Sequence, residues 1–357
     1  MFGVKIMRLE RRTSIPKKLA IIAPILAIVV SLSVSGVLII LAGVNPFIAY
    51  FEILKGAFGS KLAITETLTR ASPLILTGLA AAVAFRARLW NIGGEGQFYI
   101  GALVAAAVGN SLLTGFPIII DITLVMMCSM ISGAILLAGP ALLRLRFGID
   151  EVVTTLLLNF IIILFVGLMI EGPLKDPFAF GWPQSVPVDR SLRFADLIPS
   201  SRLHKGFLIA IFAAFAIWII ITRTVFGLQT RATGFTPQAA AFSGISLSKT
   251  IMGVALISGA LAGLAGAIEV MGVTGYVTTT LSPGFGYAGI VVAMLAALHP
   301  GGVIISAVFI ASIFIGADAM SRATGVPSFI ADVIMSLSLL TMLIAIFFTN
   351  YLSLIHI

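Results

Sequence analysis

The chain is poor in charge and in reactive side chains. Charged residues make up 10% of its 357 positions, against roughly 25% in a soluble globular domain. Cys128 is the sole cysteine and sits in an apolar run. That excludes an intrachain disulfide and a thiolate metal cluster, and leaves Cys128 as a small packing residue. The three histidines, His204, His299 and His356, are far apart. Neither H-E-x-x-H nor G-x-S-x-G occurs, so a zinc-hydrolase helix and a nucleophile elbow are both missing. The nearest approach to a phosphate-binding G-x-x-x-x-G-K-[ST] loop is 243–250, where Ser243 and Ser248 stand at the glycine positions; the nucleotide-cradling motif fails. A G-x-G-x-x-G string does occur at 284–289. Dinucleotide binding would need a preceding strand and a soluble βαβ unit around it. The string suits the start of a short membrane segment at Pro283-Gly284, with glycines permitting close helix contact. Asp150 and Glu151 are neighbours and would point in different directions on a helix. Asp150 reads as an N-cap, with Glu151 favourably placed in the helix dipole.

What is abundant is apolar. Hydrophobic residues reach 59%, and a bilayer is crossed by about 20 of them in a row. About ten runs qualify: 19–43, 73–85, 98–113, 117–143, 152–170, 207–222, 251–270, 287–298, 303–317 and 328–349. The second and eighth are short, so broken, tilted or re-entrant segments are expected there, covered by neighbouring protein. The expected fold is an all-α integral membrane bundle of about ten transmembrane helices, read as one transmembrane domain over 19–350. It follows a basic segment over 1–18. Residues 351–357 resemble translated adapter read-through more than a natural tail, and are set aside as non-native.

The net charge of +8 is distributed for a membrane rather than for nucleic acid. Lys5, Arg8, Arg11, Arg12, Lys17 and Lys18 precede the first run, which places the N-terminus in the cytoplasm. Alternating spans then bring Arg86, Arg88, Arg144, Arg146, Arg223, Arg231 and Lys249 to the same side. The interval 171–205 becomes an outer loop with room for a small helix. Gly259, Gly263 and Gly266 share one helical stripe; small residues let helices approach closely in lipid.

Polar residues at membrane depth are costly and commonly face a cavity or a partner. Asn91, Glu95, Gln97, Asn159, Glu269 and Asp332 are therefore candidates for a transport path, with interhelical hydrogen bonding as the competing role. One polar interval, 226–249, separates two long apolar runs. Thr236-Pro237 is a helix-start signal, and Gly244 a helix stop. Gln238, Ala239 and Ala240 lie between them. A short capped helix with no apolar bulk suits docking into a partner.

Gln238 to Gly244 fits E-A-A-x-x-x-G with glutamine for glutamate, and this resembles the coupling loop of ATP-binding-cassette (ABC) importer permeases. The wider chain resembles the permeases of branched-chain amino acid, simple-sugar and nucleoside ABC importers. The likeness rests on N-I-G-G-E-G-Q at 91–97, G-I-D-E-V-V-T-T at 148–155 followed by Leu158-Asn159, E-G-P-L-K-D at 171–176, S-P-G-F-G-Y at 282–287, and H-P-G-G at 299–302. These occur in order across residues 45 to 345, and match the nucleoside and simple-sugar branch best. The resemblance implies two cytoplasmic ATPase subunits, a second permease subunit of the same or a related kind, and an extracytoplasmic solute-binding protein. ATP and Mg would be bound by those ATPase subunits and no cofactor by this chain. The machine would sit in a prokaryotic cytoplasmic (inner) membrane and import a small neutral solute, nucleosides before sugars. An ion- or proton-coupled secondary transporter is the alternative. It would need a series of carboxylates or histidines within the spans, and no span carries one.

Overall fold

The structure, a computed structural model, describes residues 7–11, 17–111 and 117–355. The parts of 1–18 and 351–357 beyond these limits, His356 included, lie outside the described residues. Helix α1 (Lys17–Leu41) turns through 114° into α2 (Pro46–Phe58). Asn45 explains the sharp restart: its side chain accepts from the Phe47 N–H at 2.9 Å, with Pro46 at the first helical position, a pairing that pre-sets helical entry. There follow α3 (Lys61–Arg86), α4 (Gly94–Ser111), α5 (Ile118–Phe147) and α6 (Glu151–Glu171). After the 172–205 loop, with one 3₁₀ turn at Arg190–Leu192, come α7 (Gly206–Arg223), α8 (Val225–Phe235), α9 (Pro237–Phe242) and α10 (Leu247–Glu269). A π-helical turn, Val270–Thr274, extends α10. The chain finishes with α11 (Phe285–Leu295), α12 (Pro300–Thr324) and α13 (Ile330–Asn350). Strands β1 (Met7–Arg11) and β2 (Tyr351–Ile355) pair antiparallel, Met7 opposite Ile355, the one departure among the described elements from an all-helical chain.

All ten anticipated runs fall on helices, but their limits differ. Seven described helices are long and apolar enough to cross a membrane, or eight if the bent α1–α2 pair counts as one. The second run is not a short span: α3 extends over 26 residues and takes in the polar stretch from Lys61 to Ser72. Its threonines close on the helix itself or a neighbour, as Thr69 does on the Thr65 carbonyl at 2.8 Å and Thr67 on Ala57 at 3.0 Å. Polar sequence can therefore be buried once its hydroxyls are satisfied. The eighth run is short as expected, an 11-residue helix. The segment 46–58, read as no span, is α2, inserted against α12.

Burial sorts centre from rim. The apolar window of α3 is 89% buried and that of α10 72%, against 28% for α5, α6 and α7 and 22% for α13. Tight packing around α10 depends on the glycine stripe. A side chain on Gly259 or Gly263 would run into the backbone of Gly133 or Ser129 on α5, and one on Gly266 into Phe98 on α4. Without a hydrophobic drive between helices in lipid, this close van der Waals approach holds the trio together.

Candidate functional site

Three polar assemblies stand out within the apolar bundle. The first is the α8–α9 hairpin. Thr236 is the N-cap of α9 by position and Pro237 its first residue, but the Thr236 hydroxyl makes no capping hydrogen bond, contrary to the expected hydroxyl cap. The C-terminal end is built as anticipated. Gly244 takes φ +83°, its N–H donates to Ala241 O, and the Ile245 N–H donates to Ala240 O, each at 3.0 Å. This double closure is a Schellman motif, which favours glycine for its left-handed residue. Ala240 is turned inward and buried, while Gln238 and Ala239 face outward. Phe242, which sequence reasoning passed over, is 95% exposed, and Phe235 is 76% exposed. Their signal was readable: large aromatics flanking a capped, alanine-rich turn.

The hairpin is seated on the bundle. Gly234 lies so close to the Arg86 carbonyl that no side chain fits between them. The Arg86 guanidinium donates twice to the Leu298 carbonyl, from Nε at 3.0 Å and Nη2 at 2.8 Å. Thus the end of α3 is in direct contact with both α8 and the α11–α12 turn. Arg86, Arg88, Arg231 and Trp90 line a cavity beside it with about 780 Å³ of empty space.

The second assembly gathers four predicted residues. Asn91 and Gln97 exchange amide hydrogen bonds, both 2.9 Å, and Asn91 Nδ2 also donates to Ser258 Oγ at 3.0 Å. Asn159 Oδ1 accepts the Gly96 N–H at 2.8 Å, while its Nδ2 donates to Ile92 O at 2.9 Å and to the Tyr287 hydroxyl at 3.1 Å. Glu95 Oε2 accepts the Gly286 N–H at 2.6 Å. These four side chains are buried and turned onto one another or onto backbone. Helices α4 and α11 meet here by their N-termini, where unpaired N–H groups concentrate partial positive charge. Glu95, in the first turn of α4, lies on the head of α11 as well. Around it Arg144 Nη1 meets Glu151 Oε1 at 2.6 Å, and Glu151 Oε1 also accepts the Trp90 N–H at 3.1 Å. Asp150 caps α6 as anticipated, accepting from Val152 N at 2.7 Å. Ser258, Tyr287 and Glu151 were not singled out as parts of this knot, since nothing in spacing along the chain links them to 91–97.

The third assembly holds Glu269, which is buried at the far end of α10. With Glu66, Thr69, Arg70, Val273, Ile315 and Arg202 it lines a cavity with about 330 Å³ of empty space. Asp332 joins none of the three assemblies: it is exposed in the first turn of α13.

On the loop beside this cavity His204 is fully buried, stacked on Phe194 at 5.9 Å, with Nδ1 accepting the Gly206 N–H at 3.1 Å. Burial pushes its pKa down to about 4, against a smaller opposing pull from Asp196.

Comparison with known proteins agrees with this architecture. A family model described as branched-chain amino acid transport system / permease component matches residues 63–346. The chain is 33% identical over 322 residues to a guanosine ABC transporter permease protein, NupP, of Bacillus subtilis, covering 90% of this chain and 92% of that one. It is 30% identical over 355 residues to a glucose ABC transporter permease protein, TsgB13, of Haloferax volcanii, covering 97% and 93%. It is 31% identical over 322 residues to a nucleoside ABC transporter permease protein, NupB, of Lactococcus lactis, covering 88% of each. A multi-pass helical bundle with a protruding capped hairpin, matched by one family model through most of its length, is therefore a member of the branched-chain amino acid transport system / permease component family.

Proposed function

We propose that this chain is the permease subunit of an ABC importer in a prokaryotic cytoplasmic membrane, carrying nucleosides first and simple sugars second. The observation that carries the reading is α9. It is a short helix closed by a Schellman motif, projecting Phe242 from a hairpin wedged against α3. Such a lever has no use in an isolated bundle. Docked into an ATPase, it transmits motion through Gly234 to the end of α3, and through Arg86 to the α11–α12 turn.

In this reading two cytoplasmic ATPase subunits hold ATP and Mg, and their closure displaces Thr236–Gly244. Closure moves the permease only if ATP favours the closed pair over the open one, since a ligand shifts only an equilibrium it discriminates. A second permease subunit completes the pathway, and an extracytoplasmic binding protein delivers solute to the face carrying the 172–205 loop. The N-terminus is cytoplasmic. The clustering of Arg86, Arg88 and Arg231 beside α8–α9 supports that orientation by the positive-inside bias. The surrounding lipid covers α5, α6, α7 and α13, and no nucleic acid takes part.

Proteoliposomes provide the test. The chain, its ATPase and its binding protein together should accumulate guanosine only with ATP inside the ATPase compartment. Uphill uptake by the chain alone on a proton gradient would install the secondary-transport reading instead.

A further inference from the structure

The cavity at the end of α10 is not explained by a path lined with neutral side chains. Four charged residues converge on it: Glu66 and Arg70 from α3, Glu269 from α10 and Arg202 from the loop. Among the described residues none of the four is hydrogen-bonded or ion-paired to another. Arg70 rests its guanidinium carbon 5.4 Å from the centre of the Phe285 ring. Glu269 is only 4% exposed, and its carboxyl borders open space across which Arg70 is the nearest acting charge, with no direct hydrogen bond between them. An ionisable group at this depth without a direct hydrogen-bond partner points to function. The cavity also communicates outward. Glu66 and Ile315 line both it and an adjoining groove of about 800 Å³ that continues over Gly56, Ser60 and Arg322.

We infer that this cavity is a binding station for the hydroxyl groups of a neutral sugar moiety on its way through the permease. The chemistry of the lining makes the choice. Carboxylates only accept hydrogen bonds and guanidiniums only donate them. A hydroxyl does both, so a vicinal diol can donate to Glu269 or Glu66 while accepting from Arg70 or Arg202. Thr69 adds a group of either kind. The lining carries carboxyl and guanidinium groups together, so it is not built for an ion of one sign. An apolar solute would strand all four. Through Arg70, which sits over the Phe285 ring at the head of α11, the station adjoins the meeting point of α4 and α11.

This inference rests on the importer reading and deepens it. Its test is selectivity within the complete importer. Uptake of guanosine and of 2′,3′-dideoxyguanosine is compared for wild type and Glu269→Gln, at equal permease level and with the same binding protein. Where the wild type takes up D-glucose instead, the pair is D-glucose and 2-deoxy-D-glucose. Because the receptor is unchanged, any shift in the ratio belongs to the permease. Losing one charge-assisted hydrogen bond should lower the preference for the hydroxylated probe about tenfold. A merely structural role for Glu269 would reduce both probes equally, and an unaltered ratio overturns the station. If Glu269→Gln does not reach the membrane, Glu66→Gln decides by the same ratio. Wild-type uptake that needs no ATP would remove the importer reading and leave the ratio to judge the cavity.

Discussion

Replacing Glu95 by alanine tests whether this carboxylate holds two helices together. Its Oε2 accepts the Gly286 N–H at 2.6 Å, while Ser282 Oγ takes the Gly284 and Phe285 N–H groups at 3.0 and 2.8 Å. The first donors of α11 are thus divided between two acceptors. Removing one strands a buried N–H, at a cost of about 1–3 kcal/mol. Losing a negative charge at a helix start adds up to about 2 kcal/mol. Glu95→Ala should therefore destabilise the bundle by about 1–5 kcal/mol. Glu95→Gln keeps an acceptor oxygen and loses only the charge, so it should fall between. Thermal unfolding of the detergent-purified permease–ATPase complex reads this order directly. The reasoning fails if Glu95→Ala unfolds with the wild type while uptake is lost, because the carboxylate would then be serving solute rather than α11.

Three further outcomes follow from other contacts. Phe242→Asp should abolish copurification of the ATPase while leaving thermal unfolding within about 0.5 kcal/mol, as expected for an exposed position; retained copurification would remove Phe242 from the docking face. Gly263→Val should separate α5 from α10, because its side chain meets the Ser129 backbone, and cost at least about 1–3 kcal/mol; wild-type thermal stability would show that the contact is loose. His204 is held neutral by burial, with a pKa of about 4 against an ordinary 6.5. The unfolded loop takes up the proton first, so docking is strongest above pH 6.5, weakens as pH falls, and levels off below about 4. The full span is on the order of 3 kcal/mol. Protection factors over 194–206, with exchange rates corrected for their intrinsic pH dependence, should fall from pH 7 to pH 5, and His204→Phe should flatten that dependence; equal protection at both pH values in the wild type would contradict it.

Local signals carried far in some places and stopped in others. Thr236-Pro237 and Gly244 located α9 because a proline start and a left-handed stop are properties of a few adjacent residues. Asp150 announced the start of α6 for the same reason. The polar opening of α3 was missed because its burial depends on threonine hydroxyls finding carbonyls, which hydropathy does not register. Helix α2 was missed because 46–58 contains Glu52 and Lys55 and is too short to span. In the polar knot, Asn91, Gln97 and Asn159 were visible as costly residues, but their partners Ser258 and Tyr287 are remote in the chain.

Apolar runs of bilayer length, sparse charge with a basic bias, and a polar interval with helix start and stop signals were enough to specify a multi-pass helical membrane protein with a short helix, α9, between α8 and α10. Those properties arise from transfer of each segment into lipid and from neighbours a few bonds away. Which polar groups pair, that α4 and α11 meet head to head over Glu95, and that Glu269 faces an open cavity with Arg70 follow from how separate helices pack. The reason is physical: a buried polar group is set by the partner that satisfies it, and in this bundle that partner comes from another helix.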